Sequence, residues 1–174
     1  MIIAAVRNDD EFNSAILSSG KIIFDLSPSM LTLEEKIKKA HKSNKKLFIH
    51  LDLAEGIGKD KAGVCYVKKL GVDGIISTRV NIIKFAREEK LFTVQRFFIV
   101  DSQSLNTAVE SVKSSKPDMI EIMPGVVEKV IKYMKEKVSV PIIAGGIIET
   151  EEEVKRALDA GATAISTGKK EFWR

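Results

Sequence analysis

Eight polar residues interrupt a succession of short apolar runs, each at or just inside the end of a run: Arg7, Asp25, His50, Asp52, Arg79, Gln95, Arg96 and Glu121. Further on, Gly145-Gly146 and Thr167-Gly168-Lys169 each close a β-branched run. These residue types suit recognition of a small polar molecule carrying an anion. Glycines without Cβ let the backbone come close and present N–H groups to a phosphate, and an adjacent lysine adds a point charge. Carboxylates accept hydrogen bonds from hydroxyls, guanidinium groups donate them, and imidazole does either. The expected phosphate cradle is therefore Gly145, Gly146, Thr167, Gly168 and Lys169. His50, with Asp52 at the same strand parity, is expected to face ligand hydroxyls.

Glu121 carries the most constrained expectation. Along Asp118 to Met123 the apolar Ile120 and Ile122 alternate with it, so they face packed helices while Glu121 faces the other way. A carboxylate buried alone would cost several kcal/mol, so Arg79, Arg96 or His50 is expected within reach. Two readings stand: a ligand-facing carboxylate, or an ion pair that only fixes the core. An enzyme is the competing class, a phosphosugar isomerase or lyase moving a proton with Glu121 and His50. A Schiff-base aldolase needs a lysine at a strand end, and no strand ends in one. No His, Cys or carboxylate cluster has metal-ligand spacing, and nothing calls for a cofactor. Cys65 is the single cysteine and falls on a helix, where it serves as a small apolar residue.

Something must hold these residues around one mouth. Ile2 to Val6, Lys21 to Asp25, Lys46 to Leu53, Gly74 to Thr78, Phe92 to Arg96 and Asp118 to Met123 read as strands. A seventh opens at Pro141 and an eighth follows Gly161. Between them lie segments with apolar residues at helical spacing. Thr32 with Glu35 and Thr150 with Glu153 form two capping boxes, and Ser102 or Ser104 is expected to cap a third helix. Phe97 to Val100 either extends strand five or forms a loop packed on the body, and unit spacing favours the loop. Strands alternating with single helices demand a parallel sheet, and a count of eight favours closure. The expectation is one compact TIM-type (β/α)8 barrel occupying residues 1–174, its last helix reduced to a turn over Lys169 to Trp173. In that fold, phosphate binds on the loops after strands seven and eight.

With 174 residues the chain lies below the usual barrel size of roughly 200 or more. Its 44% hydrophobic and 6% aromatic content leaves the core to Ile, Val, Leu and Ala. The opening residues are too short and uncharged for a signal peptide, so a soluble cytoplasmic protein without membrane contact is expected. A net charge of +4 is too modest to establish a nucleic-acid partner.

The segments His50 to Leu53, Asp73 to Arg79, Gln95-Arg96, Lys116 to Asp118, Glu121 to Gly125 and Pro141 to Gly146 resemble the glycerol uptake operon antiterminator regulatory proteins. So does the tail from Thr150 through Ala160-Gly161-Ala162 to Trp173. The match is collinear over nearly the whole chain. It implies a small barrel that binds glycerol 3-phosphate or a similar small phosphate. So loaded, it acts on leader mRNA of glycerol genes to prevent premature termination, without catalysis. The polyol end would meet His50, Asp52, Arg79, Arg96 and Glu121. Candidate RNA footprints are the basic faces Lys36 to Lys46 and Lys129 to Lys137, each of which, judged alone, reads as a solvated helix face. A homo-oligomer is compatible with the sequence.

Overall fold

The computed structural model describes residues 1–174. Eight parallel strands close into a barrel in sequential order, β8 returning to β1. The order is β1 (Ile2–Val6), α1 (Asp9–Leu17), β2 (Ile22–Asp25), α2 (Leu33–Lys42), β3 (Lys46–His50), α3 (Lys61–Leu70), β4 (Gly74–Ser77), α4 (Val80–Glu88) and β5 (Phe92–Phe98). It continues with α5 (Ser102–Ser115), β6 (Met119–Met123), α6 (Glu128–Lys137), β7 (Ile142–Gly145), α7 (Glu151–Asp159) and β8 (Ala164–Thr167). Short 3-10 turns follow β3 (Leu51–Leu53) and β8 (Lys170–Phe172), the second standing where an eighth helix would lie.

Strand alternation divides the apolar residues between two environments. Ile3, Ala5, Phe24, Phe48, Ile76, Val94, Ile143 and Ala164 fill the barrel interior. The opposite parity packs against the helices in two clusters, one centred on Val6, Ile49 and Ile75 and the other on Ile122, Ile142 and Ile165. Trp173 is fully buried in the first of these, its indole N–H donating to the Thr167 carbonyl at 2.8 Å, so the tail is sealed against the barrel end. No helix is long and apolar enough to cross a membrane.

Local departures from expectation have identifiable causes. Strand three stops at His50, and the chain turns through Leu51–Leu53 instead of continuing the strand. β5 runs on to Phe98 because Phe97 and Phe98 pair with Ile122 and Met123 of β6, so only Ile99 and Val100 form the expected loop. Asp101, not a serine, caps α5, and Ser104 completes the reciprocal box. Thr32 makes no side-chain cap because its backbone already lies near the helical ψ, whereas Thr150 and Glu153 form the full box at α7.

Candidate functional site

The carboxyl ends of β3, β5 and β6 place three polar side chains inside the barrel mouth. Arg96 and Glu121 are register neighbours with inward parity. The Arg96 guanidinium Nε donates to Glu121 Oε2 at 2.6 Å, with both residues at most 4% exposed. This pair uses only part of each group. Glu121 Oε1 and Arg96 Nη2 have no protein partner, and neither has Nδ1 of the buried His50. Burial, then the Arg96 charge, pulls the His50 pKa from 6.5 down to about 4, against a smaller opposing effect of Asp52. The imidazole is therefore neutral at neutral pH and both donates and accepts. One acceptor, one charged donor and one amphoteric group thus remain open in a buried spot, the set that two vicinal hydroxyls require.

Beside this trio lies a cavity of about 260 Å³ over β1, β7 and β8. That volume is below the ~300–1,000 Å³ typical of drug-sized ligands and suits a molecule of a few heavy atoms. Its wall includes Arg7, Gly146, Ile147, Glu149, Ser166 and Gly168, with Thr167 and Lys169 completing the β8 side. Gly146 takes φ +76°, and Ile147 takes φ +59° although β-branched. A left-handed backbone costs a non-glycine residue roughly 1–2 kcal/mol, and here it is borne by a loop that faces the cavity. The loop is fixed from below, where Thr167 Oγ1 donates to the Ile148 carbonyl at 3.2 Å. Opposite, the Arg7 guanidinium lies against Gly168, within 3.2 Å of where a Cβ would stand. Lys169 Nζ lies 3.9 Å from a Glu149 carboxylate oxygen, an exposed and weak pairing. Arg7 and Lys169 against Glu149 leave the cavity one positive charge in excess.

The expected residues do not all meet. Gly146, Thr167, Gly168 and Lys169 gather at the cavity. Gly145 does not line it. A Cβ on Gly145 would stand 2.5 Å from Glu121 Oε1, so the first glycine of the pair provides clearance for the carboxylate. Thr167 has outward parity, accepts from the Lys169 N–H at 3.1 Å and braces the turn. His50, Arg96 and Glu121 converge, with Arg96 the partner among the three candidates. Asp52 does not share the His50 face, because the turn after β3 carries it over the end of β4. There it accepts from Ser77 Oγ at 2.6 Å and from Thr78 N at 2.8 Å, with the half-exposed Arg79 at 3.9 Å. Asp25 and Gln95 point outward, to Lys36 Nζ at 3.0 Å and to Ser115 respectively. Arg7 and Ser166 also line the cavity, although the sequence placed neither in the phosphate cradle. Arg7 follows from closure, which brings the end of β1 beside β8; Ser166 follows from alternation, two residues after the inward Ala164.

Comparison with known proteins adds an independent line. The family described as glycerol-3-phosphate responsive antiterminator matches residues 2–173. The Escherichia coli (strain K12) protein YgcP, itself uncharacterized, is 38% identical over 173 residues, covering 99% of this chain and 91% of YgcP. The crystal structure of the glycerol uptake operon antiterminator regulatory protein from Listeria monocytogenes str. 4b F2365 superposes with a TM-score of 0.95. It is 33% identical, over 99% of this chain and 94% of that one. A glycerol uptake operon antiterminator-related protein from Thermotoga maritima MSB8 gives a TM-score of 0.88 at 30% identity, over 99% and 96% of the two chains.

Proposed function

The chain belongs to the glycerol-3-phosphate responsive antiterminator family, and from that premise we propose that its barrel mouth is the glycerol 3-phosphate sensor. The phosphate occupies the cavity, held by the loop backbone at Gly146 and Ile147, by the turn at Gly168, and by the Arg7 and Lys169 charges. Lys169 exchanges its weak contact with Glu149 for the phosphate. The two hydroxyls point to the neighbouring trio, Glu121 accepting, Arg96 donating and His50 doing either. Asp52 acts one step back by bracing Thr78 and Arg79 at the rim. Residues 1–174 work as a single domain, located in the cytoplasm, and the loaded protein acts on leader mRNA of glycerol catabolic genes.

The observation that carries this reading is that three of the four buried polar atoms without a partner, all but the outward Gln95 Nε2, coincide with an adjacent positively charged cavity. A core ion pair alone does not account for three such atoms gathered in one spot. We further propose that the site binds without turnover. Calorimetric titration with glycerol 3-phosphate, glycerol and inorganic phosphate tests both points. The ester should bind at least tenfold more tightly than either fragment, and NMR of the incubated mixture should show it unchanged. Fragments binding as well as the ester would overturn the two-ended site, and a new product would establish the isomerase or lyase reading in its place.

A further inference from the structure

The sequence offers two basic helix faces, and their charges are disposed differently. On α2 the cations are largely engaged. Lys36 is buried against Asp25 at 3.0 Å and Asp9 at 3.3 Å, and Lys38 and Lys39 pair with Glu34 and Glu35 at 2.6 and 2.8 Å. Lys45 is buried with its ammonium on the Ser18 and Gly20 carbonyls. These are fold-stabilising contacts, and they leave Lys42 and Lys46 as the exposed lysines of that face without an acidic partner.

On α6 the arrangement is the reverse. Lys129, Lys132, Lys135 and Lys137 are exposed, and none has an acidic partner. Lys137 rests over the Tyr133 ring at 5.7 Å. Of the two acids on the helix, Glu128 is matched by Arg156 of α7 at 3.5 Å, and Glu136 alone opposes the four lysines. Val130, Ile131 and Met134 bury the inner face. At a rise of 1.5 Å per residue the four ammonium groups spread along about 12 Å of helix. The outward side presents no large exposed hydrophobe, so it lacks the apolar anchor that a membrane-surface helix needs. A row of unpaired cations without an apolar centre matches a polyanionic backbone.

We propose that the α6 face grips the phosphate backbone of RNA, an inference that rests on the antiterminator reading above. The contact is electrostatic and carries no sequence preference. Binding of a labelled mixed-sequence single-stranded RNA, with glycerol 3-phosphate saturating, is measured across a salt series. The proteins compared are the unsubstituted chain, the α6 variant Lys129→Gln/Lys132→Gln/Lys135→Gln, and the α2 variant Lys38→Gln/Lys39→Gln/Lys42→Gln. Each lost phosphate contact removes about 0.7 from the slope of log affinity against log salt, so the α6 variant should lose about 2.1. Between 50 and 200 mM salt the unsubstituted chain should then lose about 18-fold more affinity than that variant. The α2 variant should keep the full slope, and circular dichroism melting confirms that both variants fold. An unchanged slope in the α6 variant, or an equal loss in both variants, overturns the proposal while the RNA reading stands. If the unsubstituted chain binds no RNA even at low salt, the RNA reading itself fails and takes the proposal with it.

Discussion

The Arg96–Glu121 pair allows stability and ligand binding to be separated by substitution. Replacing Glu121 with Leu removes the 2.6 Å hydrogen bond and leaves a guanidinium that is 4% exposed without a counter-charge. Breaking a buried pair from one side costs about 3–5 kcal/mol. For a chain of this length each kcal/mol moves the melting temperature by about 2–4 °C, so Glu121→Leu should melt roughly 6–20 °C lower. Adding Arg96→Met removes the stranded charge. Exchange of a buried ion pair for apolar side chains of similar volume is often neutral or stabilising, so the double variant should melt close to the parent or above it. Its ligand binding should not recover. The single variant lacks one hydrogen bond to a charged group and the double variant lacks two, at about 1.5–3 kcal/mol each, so the double variant should bind glycerol 3-phosphate at least about 100-fold more weakly than the parent. Thermal melting and calorimetric titration of the three proteins give the two readouts. A double variant that binds with parental affinity would refute the placement of the hydroxyls, and a single variant that melts with the parent would refute the energetics of the buried pair.

The remaining predictions address the groups around that pair. Because the folded-state pKa of His50 is depressed, the folded protein binds fewer protons than the unfolded chain between pH 6.5 and about 4. Stability from this group is therefore present above pH 6.5 and lost as pH falls toward 4, by about 3 kcal/mol in all at 1.36 kcal/mol per unit. Urea unfolding at neutral and acid pH should show this loss, and His50→Gln should flatten it; an unaltered pH profile in the variant would exclude His50 as its source. Arg7 is exposed and its head group has no acidic partner, so Arg7→Ala should leave the melting temperature unchanged while weakening inorganic phosphate and glycerol 3-phosphate alike by roughly tenfold or more. A selective loss for the ester in fluorescence or calorimetric titration would place Arg7 at the polyol end instead. Glu149 donates its N–H to Glu153 at the start of α7, and Arg156 of α7 bonds Glu128 of α6, so a chain of contacts joins the phosphate loop to the lysine face. Arg156→Gln should shrink the ratio of RNA affinities with and without ligand, and an unchanged ratio would show that coupling takes another route.

The barrel was legible because its signals are local and repeated. Each β-branched run and each amphipathic segment announces itself within ten residues, and eight repeats leave closure as the economical arrangement. Glu121 was legible for the same reason: its two apolar neighbours, Ile120 and Ile122, fix its parity without any knowledge of the rest. Asp52 was not. Two residues from His50, it shares the parity only if the strand continues, and whether the strand continues is decided by Ser77 and Thr78, some 25 positions away, which capture its carboxylate. The glycine pair failed halfway for a similar reason. Adjacent glycines signal close approach of something to the backbone, and the sequence cannot say of what. At Gly146 the approach is the cavity, and at Gly145 it is the chain's own Glu121. The same reading applies to the lysines. α2 and α6 each carry four in their own spans; Glu34 and Glu35 lie at i,i+4 spacing from Lys38 and Lys39 in the sequence itself, whereas Asp9 and Asp25, which occupy Lys36, are brought near only by the fold. Periodicity thus locates a group, whereas its function depends on which of its hydrogen-bonding atoms the rest of the fold has already used. That distinction is what singles out Glu121 Oε1, Arg96 Nη2 and His50 Nδ1 as the contacts proposed for the ligand's hydroxyls.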